Sequence, residues 1–304
     1  MGEILNLRQG MREERAPVSF AEPSRTTLDP LALLLADIAA GSEPSFARLY
    51  ELTAGRLLSI ARGIVGGRSD VAEDILQESF IRVWRWAHRF DPGKGMAYAW
   101  LVRIVRNRAL SAREQLHRRE DGHGEPDAET LVAEEIDPAD RALQSEQARR
   151  VKSCLANLPA NHRRSVSLVY FEGLTHRELA ERLGVQLGTA KSWVRRGLAQ
   201  MGRCLSGSDA APADMDFREL VAAEYAVGSL QGAVGRGFER RRERDARYCR
   251  AVDRWEDRLA FLTETLPAAP VSPEVWNRIR QQVARERVGH GRPLLARLLR
   301  FFRR

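Results

Sequence analysis

The sequence predicts an all-α protein made of small helical units, and three observations support this. Apolar residues recur at spacings of three and four through most of the chain. No segment has the strict alternation that indicates a strand, and polar stretches containing Pro and Gly separate the helical segments. With 304 residues, the chain is long enough for two or three folded units, because one domain takes roughly 150 residues.

Charge and cysteine content narrow the function classes. Lys and Arg number 49 against 41 Asp and Glu, and residues 119–141 contain nine acids and only two arginines. The remainder is strongly basic, which favours nucleic acid or an acidic membrane surface. Cys154, Cys204 and Cys249 lie far apart, so we expect no disulfide framework, no compact thiolate metal site, and a reducing, cytoplasmic environment. No apolar run reaches the roughly 18 residues of a membrane span.

The first helical unit is predicted at residues 42–117, after a Pro-punctuated segment, 1–41, that we expect to be disordered and that lacks the pattern of a signal peptide. Its clearest helix buries a stripe from Ala72 to Ala87. A break follows at Asp91–Gly95, and a second helix is predicted at about Met96–Arg113. The outer face of the first helix, named here the acidic stripe, comprises Asp70, Glu73, Asp74, Gln77 and Glu78.

The helix after the break presents groups suited to unstacked bases. An aromatic ring can stack on a base, an amide can bond a base edge, and cations can bind phosphates. The alternative is a tryptophan that simply belongs to the core. We name these the strand-capture residues: Lys94, Trp100, Arg103, Arg106, Asn107 and Ser111.

The second unit is predicted at residues 141–206, after an acidic linker at 118–140. Thr175 and Glu178 form a capping box, and Gly184 ends the helix that they begin. A basic helix follows. The capped helix, the glycine that ends it and the basic helix together predict a helix-turn-helix. The alternative is a helical hairpin with a solvated charged face. The outward positions of the second helix, the recognition residues, are Thr189, Lys191, Ser192, Arg195 and Arg196.

Three motifs in order resemble a known family. The segments 70–84 (DVAEDILQESFIRVW) and 99–110 (AWLVRIVRNRAL), followed by the helix-turn-helix at 174–198, resemble the extracytoplasmic-function (ECF) sigma factors of bacterial RNA polymerase. The resemblance covers about residues 42–206. It implies that the first unit binds core polymerase and opens the minus-ten promoter element, while the second unit reads the minus-thirty-five element.

The resemblance also assigns roles to residues. The acidic stripe would meet the β′ clamp of core polymerase, with the β flap as a further contact, although a solvated helix face is the alternative. The loop Asp91–Met96 would pocket a flipped base beside the strand-capture residues. Ser111 departs from the acid that the family often has there, which leaves the minus-ten sequence preference open.

A third unit at residues 216–284 follows a flexible joint at 207–215. Its segments 219–230, 255–259 and 273–279 resemble the zinc-independent anti-sigma domain. Cys249 stands alone, so no zinc is expected. Such a fused domain has an effective concentration of order millimolar toward its target. We therefore expect inhibition in cis, with a domain that only stabilises the chain as the alternative.

The remaining observations limit other functions. The basic tail, residues 285–304, has three interpretations: a solvated end, a DNA contact, or a contact with an acidic membrane. The six histidines form no ligand pattern, and no nucleophile motif or phosphate loop occurs, so we expect neither an enzyme nor a cofactor. Two competing functions stay open at this point: a free-standing helix-turn-helix regulator, and a soluble anti-sigma adaptor acting on another sigma factor.

Overall fold

The computed structural model describes residues 29–120, 146–207, 216–230 and 232–290. Within these ranges the chain forms twelve α-helices and one 3₁₀ turn, and no strand occurs there. This confirms the predicted all-α class. None of the helices in these ranges is long and apolar enough to cross a membrane.

The first unit packs four helices around one core. Leu57 and Leu58 of the second helix, Phe80 of the third and Leu101 of the fourth lie buried together there. The bounds are α1 (Pro30–Ala39), α2 (Glu43–Ile64), α3 (Ser69–Trp86), the 3₁₀ turn Ala87–Arg89, and α4 (Ala97–Glu120).

Helix α1 corrects the expectation that residues 1–41 are disordered. The Asp29 carboxylate accepts a hydrogen bond from the Leu31 amide at 3.0 Å, and Pro30 occupies the first turn, where no amide partner is needed. Leu35 and Ile38 are buried in the core of the first unit. A short capped helix is therefore held by apolar burial, while residues 1–28 lie outside the described part.

Helix α4 is longer than its sequence pattern indicates. It runs to Glu120, so the first three residues assigned to the acidic linker belong to this helix. The rest of that linker, 121–140, lies outside the described residues. The break before α4 is as predicted, and the Asp91 carboxylate accepts a hydrogen bond from the Gly93 amide at 2.9 Å.

The second unit has the predicted helix-turn-helix. The Glu178 amide donates to Thr175 Oγ1 at 3.2 Å, and the Thr175 amide donates to Glu178 Oε2 at 2.7 Å, which confirms the capping box. Gly184 ends the helix with φ +65°, a left-handed conformation that glycine adopts without strain. The helices of this unit are α5 (Glu146–Ala156), α6 (Ala160–Glu172), α7 (His176–Leu183) and α8 (Leu187–Ser206).

A disulfide joins α5 to the end of α8, contrary to the expectation from cysteine spacing. Cys154 and Cys204 are bonded, with their Cα atoms 5.7 Å apart, while Cys249 is a free thiol. The expectation was wrong because a separation of 50 residues along the chain says nothing about which helices pack together. Here α5 packs against α8, which brings the two sulfurs into bonding range.

The third unit does not form a separate core. Trp255, at the centre of its helices, lies in one cluster with Val166 and Leu198 of the second unit. Val275 and Ile279 lie in the core of the first unit. The third unit therefore joins the other two. Its helices are α9 (Phe217–Ala226), α10 (Gly232–Arg244), α11 (Ala246–Thr263) and α12 (Pro273–His290).

The boundaries of the third unit differ slightly from those predicted. Helix α12 continues to His290, six residues past the predicted end at 284 and into the predicted basic tail. The rest of that tail, 291–304, lies outside the described residues. Gly207 ends α8 with φ +65°. The rest of the predicted joint, 208–215, also lies outside the described residues.

Candidate functional site

Helix α12 lies along α3 and contacts the acidic stripe. Arg278 Nη1 donates to Asp74 Oδ1 at 3.3 Å, and Arg278 Nη2 lies 4.0 Å from Glu73 Oε2. Asp70 and Asp74 are exposed, and Glu73 is half-buried. A cation of the third unit thus neutralises the middle of the stripe.

The two remaining members of the stripe lie closer to the body of the first unit. Arg108 of α4 binds both carboxylate oxygens of Glu78, with Nη2 3.1 Å from Oε1. This hydrogen bonding lowers the pKa of Glu78, so the carboxylate stays ionised. Gln77 is half-buried.

Apolar and polar contacts beside the stripe hold α12 in place. Trp276 packs against Tyr50 and Phe46 of α2, with ring centroids 4.7 Å and 5.8 Å apart. Arg85 of α3 donates from Nε to both oxygens of Glu286, at 3.0 Å and 3.1 Å. Burial, together with the charge of Glu73, raises the pKa of Tyr50 to about 12. The phenol is therefore neutral in this contact.

Helix α11 lies against the strand-capture residues on α4. Arg103 Nη1 donates to Glu256 Oε2 at 3.0 Å and to Asp253 Oδ1 at 3.4 Å. At the end of the preceding loop, the Met96 amide donates to Asp257 Oδ1 at 3.2 Å. The third unit therefore occupies the junction of the loop and α4.

Other strand-capture residues remain open to solvent. Asn107 and Ser111 are exposed, and the Ser111 hydroxyl donates to the Asn107 carbonyl at 2.9 Å. Trp100 is half-buried beside Phe90, with ring centroids 5.7 Å apart. Lys94 is exposed near Asp91, at 3.4 Å. Trp100, Asn107 and Ser111, which are seven and four residues apart, share one side of α4.

Arg106 does not join that surface, which corrects the prediction for this residue. It is 5% exposed, donates to the carbonyls of Val227, at 2.9 Å, and Tyr170, and lies 4.0 Å above the Tyr170 ring. Burial lowers the pKa of this guanidinium. Because Tyr170 belongs to α6 and Val227 follows α9, Arg106 connects all three units.

The recognition residues lie on α8, and the third unit binds one of them. Arg195 Nε donates to Glu224 Oε1 at 2.9 Å, and Glu224 of α9 is 1% exposed. Lys191 and Arg196 are exposed, whereas Thr189 and Ser192 are half-buried.

A cleft of about 590 Å³ opens beside this pair and is lined by α4, α7, α8 and α9. His176 Nε2 lies 3.8 Å from Glu224 Oε1. Burial, with the charges of Lys191 and Arg195, lowers the pKa of His176 to about 4. The imidazole is therefore neutral near pH 7, and Arg195 is the charged partner of Glu224.

Sequence reasoning missed the residues of the third unit that make these contacts. Glu224 and Trp276 lie in the segments 219–230 and 273–279, but the sequence assigned neither residue a role. Asp253, Glu256 and Asp257 lie three and four residues apart and therefore share one face of α11. This spacing was the sequence signal that could have identified an acidic contact surface. Within the described ranges, no group of three or more His, Cys, Asp or Glu residues is arranged to hold a metal ion.

Family models and curated relatives match the first two units. The model for Sigma-70 region 2 matches residues 49–119, and that for Sigma-70 region 4 matches 148–201. ECF RNA polymerase sigma factor SigK of Mycobacterium ulcerans (strain Agy99) is 32% identical over 183 residues, which are 59% of this chain and 96% of the relative. The chain belongs to the ECF sigma factors. It acts in promoter recognition with core RNA polymerase and is a transcription initiation factor, not an enzyme.

A second curated relative matches a segment of similar length. SigK of Mycobacterium bovis (strain BCG / Pasteur 1173P2) is 32% identical over 194 residues, which are 61% of this sigma factor and 98% of the relative. The first and second units, predicted from three motifs, are thereby confirmed as sigma regions. The family matches end at residue 201, so the third unit lies outside them.

Two solved structures resemble part of the chain. CnrH in complex with the cytosolic domain of CnrY is 24% identical, with TM-score 0.28, and the match covers 60% of this sigma factor and 100% of that chain. The sigma factor RpoE in complex with the anti-sigma factor NepR, from Bartonella quintana, is 25% identical with TM-score 0.26, covering 53% and 96%.

Proposed function

We propose that this ECF sigma factor is inhibited in cis by its own third unit, which acts as a fused anti-sigma domain. In the released state the acidic stripe binds the β′ clamp of core polymerase, and the second unit contacts the β flap. The observation that supports inhibition is the position of α12, because Arg278 pairs with Asp74 of the stripe and Trp276 packs on α2 beside the stripe. Polymerase and α12 therefore compete for α3.

Apolar burial accounts for most of the strength of this contact. Burying the side chain of an aromatic residue such as Trp276 contributes roughly 1.5–3 kcal/mol. The exposed ion pair of Arg278 with Asp74 contributes about 1 kcal/mol or less. Because the tether supplies an effective concentration of order millimolar, even a micromolar contact would be mostly closed.

We assign promoter contacts to those members of both predicted sets that are exposed or half-buried. In the first unit the strand-capture residues other than Arg106 would hold the opened minus-ten strand. In the second unit the recognition residues would read the minus-thirty-five duplex from the major groove. Arg106 instead stabilises the closed arrangement, since its donors are taken by carbonyls of the second and third units. We infer that the protein acts in the cytoplasm, where polymerase works.

The test compares full-length protein with a chain that ends at residue 207. The shorter chain keeps the segment shared with the relatives, which match over 96% and 98% of their own length. We expect it to bind core polymerase at least about tenfold more tightly and to give more transcript in a purified system. A chain ending at residue 290 is the control for the tail. Equal or weaker binding by the shorter chain would contradict inhibition.

One observation favours a second function for the third unit. Its side chains complete the cores of both sigma units, as a purely stabilising domain would. In that case the chain ending at 207 would unfold at a lower temperature and bind polymerase no better. Thermal unfolding beside the binding titration separates the two functions.

A further inference from the structure

Three carboxylates on α11 form a charged surface that the family assignment does not explain. Asp253, Glu256 and Asp257, named here the α11 triad, follow one another at helical spacing and face α4 and its preceding loop. Glu256 is 14% exposed and Asp253 is 25% exposed. The triad is thus largely enclosed against the first unit.

The contacts of the triad are those that a nucleic-acid backbone makes. The guanidinium of Arg103 binds two carboxylates, and guanidinium groups bind phosphate oxygens in the same manner. The Met96 amide donates to a carboxyl oxygen of Asp257, and main-chain amides commonly donate to phosphates. Both donors lie where the opened promoter strand is proposed to bind.

The fit at the loop is close. A Cβ atom added at Gly95 would lie 2.8 Å from Asp257 Oδ1, a separation that real side chains do not tolerate. Gly95 therefore lets a carboxyl oxygen approach the backbone. The same feature would admit a phosphate oxygen of a bound strand.

The triad covers phosphate-type donors and leaves base-reading groups uncovered. Asn107 and Ser111, which have hydrogen-bonding groups for base edges, are exposed in the closed arrangement. Besides Arg103, the cations of Lys94 and Arg242 lie near enough to lower pKa values within the triad. The pattern matches a polyanion in place of a strand, without imitation of bases.

We propose that the α11 triad mimics the phosphates of single-stranded DNA, so that an opened strand competes with α11 for Arg103 and the Met96 amide. This inference rests on the proposed function and adds a second competitor beside core polymerase. Because only phosphate donors are contested, the competition is independent of base sequence and weakens as salt concentration rises.

The experiment measures binding of a fluorescent 15-nucleotide oligothymidylate to the full-length protein by anisotropy at low salt. The double variant Asp253→Asn, Glu256→Gln removes two charges with little change in shape. We expect it to bind the oligonucleotide at least about fivefold more tightly than the parent chain does. Glu243→Gln, a change at an exposed acid on α10, is the matched control and should leave affinity unchanged.

Two further binding measurements identify the cause of the gain in oligonucleotide affinity. Adding Arg103→Ala to the double variant should abolish the gain, because the contested donor is then absent. A 15-base-pair duplex should show a smaller gain than the single strand. The proposal is overturned if the folded double variant binds like the parent, if the gain survives without Arg103, or if duplex gains equally.

A crosslink keeps the proposal testable should the double variant fail to fold. An added Cβ at Gly95 lies 3.2 Å from Asp257 Cγ, so Gly95→Cys with Asp257→Cys places two sulfurs in bonding range. The oxidised chain should bind oligothymidylate at least about fivefold more weakly than its reduced form, while the parent chain under both conditions controls for the native disulfide. Equal affinity in both forms overturns the proposal.

The outcomes separate this inference from the proposed function. If truncation at residue 207 strengthens polymerase binding but the triad variant leaves strand binding unchanged, inhibition stands and mimicry fails. If the triad variant gains strand affinity while truncation leaves polymerase binding unchanged, mimicry stands and inhibition of polymerase binding fails.

Discussion

The third unit contacts the two sigma units in different ways. Apolar residues of the third unit enter the cores of both sigma units, so the difference lies in the charged contacts. On the first unit, its charged contacts include three residues predicted to bind polymerase or DNA, namely Glu73, Asp74 and Arg103. Among the recognition residues of the second unit, Arg195 is paired while Lys191 and Arg196 stay exposed. The difference indicates that closure blocks mainly the first unit and leaves much of the recognition helix accessible.

The largest effect is expected at the disulfide, which only the second unit has among the described residues. Cys204→Ser should lower the free energy of unfolding by about 2–4 kcal/mol, because a crosslink across a long loop restricts the unfolded chain. Thermal unfolding without reductant measures this, and Cys249→Ser is the control because that thiol is free. If both variants melt like the parent chain, the second unit does not depend on this bond.

The next effect tests the contact on the first unit. Trp276→Ala should weaken α12 packing by about 2 kcal/mol, since the indole is half-buried and full burial is worth about 3–5 kcal/mol. The ratio of closed to open protein then falls about 30-fold, and core polymerase binds more tightly. Asn277→Ala, at the exposed neighbouring position, should change little. Unchanged affinity in Trp276→Ala would show that α12 does not exclude polymerase.

A pH dependence should also distinguish the two contacts. Burial, with the charges of Asp253 and Glu256, raises the pKa of Asp257 to about 7. The hydrogen bond from the Met96 amide and the charge of Arg103 lower this pKa but do not outweigh burial. When α11 leaves α4, this carboxyl returns toward its usual value and releases its proton. The closed form is therefore favoured at low pH. It weakens by up to about tenfold per pH unit between the usual pKa of 3.8 and about 7, and the dependence levels off above 7.

Polymerase titrations at pH 6.5 and 8.0 measure this dependence. Binding should be tighter at pH 8.0 than at pH 6.5 in the parent chain. Asp257→Asn, which resembles the protonated carboxyl, should bind with the same affinity at both values. If the affinity of the parent chain does not change with pH, or if the affinity of the variant changes equally, Asp257 is not the group that controls closure.

The smallest effect concerns the ion pair on the acidic stripe. Arg278→Glu places a like charge beside Glu73 and Asp74, and because these groups are partly exposed we expect only about 1 kcal/mol, or roughly fivefold in opening. The effect should shrink as salt concentration rises. Arg280→Glu, on the exposed side of the same helix, is the control. Identical effects of both reversals would indicate general charge repulsion.

The sequence predicted local features and family-level features well. The capping box of Thr175 and Glu178 and the break before α4 follow from local backbone chemistry, and three ordered motifs identified both sigma units. Burial of Arg106 was not predictable, because its partners Tyr170 and Val227 come from distant helices. The pairing of Cys154 with Cys204 likewise depends on how α5 packs on α8. The same holds for Trp276, whose place on α2 is set by tertiary contact.

Hydrogen–deuterium exchange of the full-length protein, with and without core polymerase, tests the central claim most directly. Amides of α12 are protected while it packs on α3, and they should exchange faster when polymerase takes that surface, while α3 gains protection. Protection of α12 that stays unchanged, or that increases, on a chain fully bound to polymerase would show that the two occupy different surfaces, and would contradict inhibition by the third unit.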